Sequence, residues 1–202
     1  MTTAVDRLHQ AALRLFAERG VTQVTVSDLA EAAGVARGTV YNNLDSVESL
    51  FEDVASALTT EMGSRVAASS ETTVDPARRL ADGVRFFVRR AHEDPQWGRF
   101  IVRFGGTAST LRLMLESAAT DDLRLGVELE RFQVRADQIP TAVAVLSGAV
   151  LAAMGLVLEG HRTWRDAGSD AAELMLRALG VSADEARALA TSELPPLASR
   201  TG

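Results

Sequence analysis

Apolar side chains recur at helical spacing along almost the whole chain. In the first segment Val5, Leu8, Leu15 and Phe16 follow one another at such intervals, and Gly20 supplies a stop signal. Alternating runs of β-branched residues, which would indicate strands, hardly occur. The pattern therefore predicts an all-α protein whose first helix ends near Gly20.

Two short helices are predicted next. Ser27 is placed to cap the first of them, which ends at Gly34 after barely two turns. The second begins around Arg37, buries Val40 and stops at Asp45. Two short helices joined by a tight turn that contains glycine are typical of a helix-turn-helix, whose second helix lies in the major groove of DNA.

Longer helices separated by polar breaks are predicted for the rest of the chain. Asp45 and Glu48 have the spacing of a capping box and open the fourth helix, while Asp75 and Pro76 open the fifth. Later helices are predicted over residues 76 to about 92, 96–104, 107–119, 121 to about 131, 139–158, 169–179 and 182 to about 192, with an extended link over 132–140.

Residues 139–158 carry no charge and are numerous enough to cross a bilayer. Many of them are small or polar, and no cluster of basic residues marks an inner end, so we expect no membrane span. The favoured interpretation is a helix buried partly by its own domain and partly by another subunit. Ala144, Gly148, Ala152 and Gly155 would permit the close approach of such a partner.

The charge balance argues against an acidic partner. The net charge is −6, and residues 1–55 hold four arginines against eight acidic residues. Any DNA contact must therefore rely on hydroxyls, amides and helix N-termini, with the acidic groups turned away from the duplex.

Composition also limits the chemistry. The chain has no cysteine, and its three histidines are far apart, so neither a metal site nor a cofactor is expected. It shows no phosphate loop and no G-x-S-x-G elbow, which argues against an enzyme. The first residues form an amphipathic helical pattern instead of a signal peptide, so we expect a cytoplasmic protein.

The segment from Leu8 to Phe51 resembles the N-terminal domain of the TetR family of transcriptional regulators. The resemblance rests on "LFAERG", "TVSDLAEAAGV" and "GTVYNNLDSVESL", which occur in the order and spacing of the family. It implies a three-helix helix-turn-helix domain over residues 1–48 and a larger helical domain for ligand binding and dimerisation over residues 49–202. The implied function is a repressor, bound as a homodimer to a palindromic operator in double-stranded DNA and released by a small apolar or amphipathic effector.

The resemblance implies DNA contacts by side chains around the two short helices. Thr25 and Ser27 are assigned to phosphate, and Arg37 and Thr39 to base edges or nearby phosphate. The full implied set is Thr25, Ser27, Arg37, Gly38, Thr39, Tyr41, Asn42 and Asn43.

Two residues depart from the family pattern. Leu44 stands where relatives usually carry phenylalanine, and Val47 stands where they usually carry lysine. The second change removes a cation near the N-terminus of the fourth helix. Together with the acidic first domain, it leaves open an alternative: an all-α ligand-binding dimer that has lost operator binding.

The larger domain is expected to hold an effector pocket and the dimer interface. The pocket is assigned to an aromatic-rich group, Phe86, Phe87, Trp97, Phe100, Phe104, Leu111, Met114 and Leu115, with ordinary core packing as the alternative for each. His92 and Arg103 are candidates to orient a polar end of the effector. The interface is assigned to Val143, Leu146, Val150, Ala153, Met175 and Leu179, which could instead fill the subunit core. Coupling between the sites is expected through the fourth helix, because it joins the two domains.

Overall fold

A computed structural model describes residues 3–199, apart from the side chains of Met114 and Ala118. Within this part the secondary structure is helical and contains no strand, which confirms the all-α prediction. The helices are α1 (Ala4–Arg19), α2 (Val26–Ala33), α3 (Arg37–Asn43), α4 (Val47–Ser70), α5 (Pro76–Glu93), α6 (Pro95–Phe104), α7 (Ser109–Glu128), α8 (Ile139–Leu158), α9 (Trp164–Ala178) and α10 (Ala183–Thr191).

Several helix boundaries follow the sequence signals. Gly34 adopts the left-handed conformation that ends α2, with φ of 65°. The Asp75 carboxylate accepts a hydrogen bond from the Ala77 amide at the start of α5. Asp94 both ends α5 and caps α6, as the predicted break requires.

Two predicted caps were wrong. The cap of α2 is Thr25 and not Ser27, because Thr25 lies three residues before Asp28 and the two exchange reciprocal hydrogen bonds. Likewise, α4 is capped by Ser46 with Ser49, not by Asp45 with Glu48. In each case a neighbouring hydroxyl residue at the same spacing forms the box.

Three segments of the larger domain also differ from the prediction. The helices expected over 107–119 and 121–131 form the single helix α7, which continues through the expected break at residue 120 and in which Asp122 pairs with Arg79. Helix α9 starts at Trp164, capped by Thr163, five residues earlier than predicted. The link over 132–140 is not wholly extended, because Ala136–Gln138 form a short 3-10 turn that leads directly into α8.

We call α1–α3 the head and α5–α10 the body; α4 joins them. The head closes around fully buried side chains from each of its helices, including Leu8, Phe16, Leu29 and Val40. In the body, α5 is central and packs against the other five helices. Helix α1 packs against α6 as well as α4, so the head rests on the body through two elements.

Helix α8 lies at one side of the body. Among the described residues, the stretch Ala136–Leu158 is long and apolar enough to cross a membrane by length and composition. However, α8 packs against α5, α6, α7 and α9, as a core helix does. About a third of its most apolar part is buried within the single chain, so a large uncharged face remains exposed.

Candidate functional site

The connection between α2 and α3 has the geometry of a helix-turn-helix. Residues Gly34, Val35 and Ala36 separate the two helices. The Val35 amide donates to the Ala30 carbonyl at 3.0 Å, which satisfies one of the last carbonyls of α2. Val40 on α3 is completely buried in the core of the head. The turn and this buried contact therefore fix which face of α3 points outward.

The outward face of α3 carries most of the predicted DNA-binding residues. Arg37, Tyr41 and Asn42 are exposed, and Tyr41 exposes 68% of its surface. From the sequence, Tyr41 could either pack against the first helix or contact phosphate, and its exposure argues against the packing. Thr39 is half-buried, and its backbone carbonyl accepts a hydrogen bond from the side-chain amide Nδ2 of exposed Asn43 at 2.7 Å. Gly38 is exposed, and an added Cβ would meet nothing within 4 Å, so the backbone there is open to approach.

The start of α2 forms a second polar surface beside α3. Thr25 is exposed, but its hydroxyl is engaged with Asp28 in the capping box. Ser27 is half-buried in the first turn. Thr25 thus holds the N-terminus of α2 in place, and the backbone amides of that turn are the groups available to an anion.

Some acidic side chains of the N-terminal region are already engaged. Hydrogen bonds from Thr25, together with the charge of Arg19 3.2 Å away, hold the pKa of Asp28 below its ordinary value. Glu52 accepts a hydrogen bond from Thr110 at the edge of the body. Val47 is half-buried against the core, so the first turn of α4 presents the carboxylate of Glu48 and no cation.

An aromatic cluster joins the head to the body. The ring of Phe51 on α4 lies 5.8 Å from Phe16 on α1, 5.5 Å from Phe100 and 5.0 Å from Phe104, the last two on α6. Beside it, the Arg103 guanidinium donates to the carbonyls of Ala17 and Glu18, the last turn of α1, at 3.3 and 3.2 Å. We call this set the junction. Arg103, a candidate for ligand orientation, instead holds the end of α1.

A cavity of about 560 Å³ lies in the body between α4, α5, α7 and α8, within the range of small-molecule sites. Its walls are largely apolar, formed by Val66, Leu80, Val84, Phe87, Leu115, Leu146 and Val150. Its polar groups include Arg79, Asp122 and Ser147. Burial raises the pKa of Asp122, and the hydrogen bond from Arg79 opposes that shift.

A larger cleft of about 930 Å³ separates the head from the body. Charged side chains from both parts line it, among them Arg7, Arg14 and Arg90 with Asp6 and Asp94. It suits water and ions better than an apolar molecule. We therefore take the cavity inside the body as the candidate effector site.

Of the eight side chains predicted to line an effector pocket, two line this cavity and five lie elsewhere. Phe87 and Leu115 line the cavity. The side chain of Met114 lies outside the described residues, and exposed His92 does not line the cavity. Core packing accounts for the remaining five, because they fill the junction or the body interior: Phe86, Trp97, Phe100, Phe104 and Leu111. Sequence reasoning missed Arg79, Asp122 and Ser147. Only Ser147 carried a signal, as a polar residue within an apolar helical pattern, whereas Arg79 and Asp122 lie next to other charged residues.

The predicted interface residues of α8 point inward. Val143, Leu146, Val150 and Ala153 are buried within the single chain, as is Leu179, and Met175 is half-buried. The four residues of α8 fill the subunit core because they lie on the face of that helix that meets the body. The opposite face is exposed and uncharged, and we call it the α8 stripe: Thr141, Val145, Gly148, Ala152 and Leu156. Leu174 on the neighbouring α9 is also exposed.

Two matches to known families cover most of the chain. Residues 8–54 match the bacterial regulatory proteins of the tetR family. Residues 75–192, more than half of the chain, match the C-terminal domain of tetracyclin repressor-like proteins. The chain belongs to the TetR family. Proteins of this family bind DNA operators and small-molecule effectors and function as dimers. They are regulators, which confirms the expectation that this chain is not an enzyme.

Comparison with individual proteins agrees with this assignment. The crystal structure of RolR in complex with resorcinol is 32% identical in sequence, covers 96% of both chains and superposes with a TM-score of 0.74. An HTH-type transcriptional regulator of Mycobacterium tuberculosis is 32% identical over 92 residues, which is 46% of each protein. The repressor KstR2 of Rhodococcus jostii is 46% identical over 43 residues. The chain thus spans less than half the length of these two curated relatives.

Proposed function

We propose that this chain is a dimeric, cytoplasmic repressor that binds a palindromic operator through α2 and α3 and is released by a small apolar or amphipathic effector. The observation that carries the proposal is the outward face of α3. Its core residue Val40 is buried, while Arg37, Tyr41 and Asn42 project outward beyond a glycine-containing turn. This is the arrangement by which a recognition helix enters the major groove.

The side chains supply a division of roles. The Arg37 guanidinium makes no hydrogen bond or ion pair within the described part of the chain, so it is available to a guanine edge or a phosphate. Tyr41, Asn42 and Asn43 are suited to the sugar-phosphate backbone, which they can contact without formal charge. Thr25 and Ser27 place the N-terminus of α2 against phosphate, and Gly38 and Thr39 lie at the closest approach of α3.

Replacing Arg37 with alanine is expected to weaken operator binding by about 1–3 kcal/mol per half-site, since one base or phosphate contact is lost. The measurement is a gel shift with the DNA that flanks the gene for this chain. Arg187→Ala removes an exposed arginine of α10 and serves as the matched control. Equal affinity of the Arg37 variant and the control would refute the assigned role. If the wild-type protein shifts no fragment, the alternative of a dimer that has lost operator binding is favoured instead.

The effector is proposed to occupy the cavity inside the body. Its walls come from α4, which continues towards the head, and from α8, which carries the exposed stripe. An effector that prefers one arrangement of α4 would shift the spacing of the two heads in a dimer and so lower operator affinity. RolR, which matches 96% of this chain, was crystallised with resorcinol, a small aromatic molecule. That supports an effector of modest size here.

Filling the cavity is expected to abolish effector binding. Gly83 lines the cavity, and an added Cβ would meet nothing within 4 Å, so leucine at this position can extend into the open space. Gly83→Leu should eliminate saturable binding of the apolar dye Nile red while raising helix stability by about 0.5–1 kcal/mol. The control is Ala68→Leu, at an exposed position of α4 that is outside the cavity lining. Unchanged dye binding by the Gly83 variant would place the effector elsewhere.

The second copy is proposed to cover the α8 stripe. Val145 exposes 54% of its surface and Leu174 on α9 exposes 62%, an unusual amount of apolar area for helices at the side of a monomer. Small residues at Gly148 and Ala152 allow the symmetry-related α8 to approach closely, and α8 and α9 with their copies would form a four-helix interface. The proposed interface therefore lies on the face of α8 opposite to the residues that the sequence suggested.

A further inference from the structure

Ser147 is a buried hydroxyl without a partner. It exposes only 7% of its surface, and its Oγ makes no hydrogen bond among the described residues. It lies on the wall of the cavity in the body. Since a buried polar group left unpaired is costly, such a group in a binding cavity marks a place where a ligand supplies the missing bond.

The other polar groups of the cavity limit the charge of that ligand. Arg79 and Asp122 already form an ion pair with each other, with the Arg79 Nε 2.6 Å from Oδ1 of Asp122. Glu71 and Asp121 add exposed carboxylates at the lining. An anionic ligand would face three carboxylates and would have to compete with Asp122 for Arg79. A cationic ligand would have to compete with Arg79 for Asp122, because Glu71 and Asp121 are exposed to water, whereas a neutral ligand leaves the ion pair intact.

The pattern of donors and acceptors narrows the class further. A serine hydroxyl can both donate and accept a hydrogen bond, whereas the Asp122 carboxylate only accepts. A ketone or ether could pair with Ser147 alone. A hydroxyl group can pair with Ser147 or donate to the Asp122 carboxylate. The remaining walls, including Phe87 and Leu115, are apolar. The cavity thus favours an apolar frame that carries a hydroxyl group.

We propose that the effector is an uncharged, mainly apolar alcohol or phenol whose hydroxyl group is bound by Ser147. This rests on the proposed function in one respect, the use of the cavity as the effector site. It adds a chemical class and a residue that selects it.

Binding of three naphthalene probes to the full chain tests the proposal by titration calorimetry. The probes are 2-naphthol, its isostere 2-methylnaphthalene, and 2-naphthoate. In the wild-type protein, naphthol is expected to bind at least about tenfold more tightly than naphthoate. Ser147→Ala is expected to weaken naphthol binding roughly tenfold, the effect of one lost hydrogen bond, while methylnaphthalene binding changes by less than about twofold.

Two controls separate this role from a structural one. Ser117→Ala removes an exposed hydroxyl of the same cavity and should leave all three affinities unchanged. Ser147→Ala should also raise the Tm of the unliganded protein by about 2–4 °C, because it removes an unpaired buried hydroxyl. Equal binding of naphthoate and naphthol, no binding of naphthol, or equal loss of both neutral probes on Ser147→Ala would overturn the proposal.

The experiment does not depend on DNA. If naphthol binds as expected but the operator gel shift fails, the repressor function is wrong and the ligand class stands. If the gel shift succeeds but the probes bind contrary to expectation, the ligand class is wrong and the repressor function stands.

Discussion

Gly148→Glu is expected to convert the dimer into a monomer and to weaken operator binding by about a hundredfold or more. Gly148 lies in the middle of the α8 stripe, where an added Cβ meets nothing within 4 Å of the same chain. The substitution should therefore leave each subunit folded. In the dimer it would place two carboxylates near the symmetry axis of a close helix contact, where like charges lose their water. A monomer contacts one half-site, and so it loses most of the specific affinity.

The measurement is the sedimentation coefficient together with the operator gel shift. Ala68→Glu adds the same charge at an exposed position of α4 and should remain dimeric. A circular dichroism spectrum with the helical content of the wild type would show that the Gly148 variant still folds. A Gly148→Glu protein that remains dimeric and binds operator normally would mean that the interface lies elsewhere.

The second large effect is expected from Phe51→Ala. Phe51 is the centre of the junction and contacts aromatic rings from α1 and α6. Removing a buried phenylalanine typically costs about 3–5 kcal/mol, which corresponds to a fall in Tm of roughly 6–20 °C for a chain of this size. Because the lost contacts hold the head on the body, operator affinity and the effect of ligand on it should both fall, even well below the new Tm.

A matched control distinguishes loss of stability from loss of coupling. Phe86 is completely buried in the body and is not part of the junction. Phe86→Ala should lower the Tm by a similar amount and leave operator affinity nearly unchanged at low temperature. If both variants bind operator equally well when folded, the junction stabilises the protein without positioning the head.

The junction also modifies the expected route of coupling. The sequence favoured α4 alone, because it is the covalent link between the domains. In the structure the Arg103 guanidinium of α6 donates to two carbonyls at the end of α1. Phe100 and Phe104 of α6 also contact Phe51, whose ring packs against Phe16 of α1. A change in the body therefore has a second, non-covalent path to the head.

The sequence allowed the head to be predicted better than the body. Gly34, Val40 and Phe16 each carry a local signal, a left-handed turn or a buried position, that identifies a short element without knowledge of its neighbours. The caps were misplaced by one or two residues because serine and threonine occur close together there. Such boundaries depend on which hydroxyl reaches the third amide, and spacing alone does not decide this.

The sites of the body could not be predicted in the same way. Phe100 and Phe87 have the same residue type, yet one lies in the junction and the other lines the cavity. Periodicity identifies a buried face but not the helix that it meets. For α8, both faces are uncharged, so the pattern could not show which one meets the body. A break near residue 120 was expected, and no local signal shows that Asp122 pairs with Arg79 across the fold within one continuous helix α7.

The central claim is that a largely uncharged surface, with Arg37 as the guanidinium of α3, binds the operator. The most direct test is the affinity of the full chain for the DNA flanking its own gene, measured between about 50 and 200 mM salt. With one arginine from each protomer replacing counterions, the slope of log K against log salt should be about −2, a loss of roughly tenfold over that range. A slope of about −6 or steeper, or no specific complex at any salt concentration, would contradict the account.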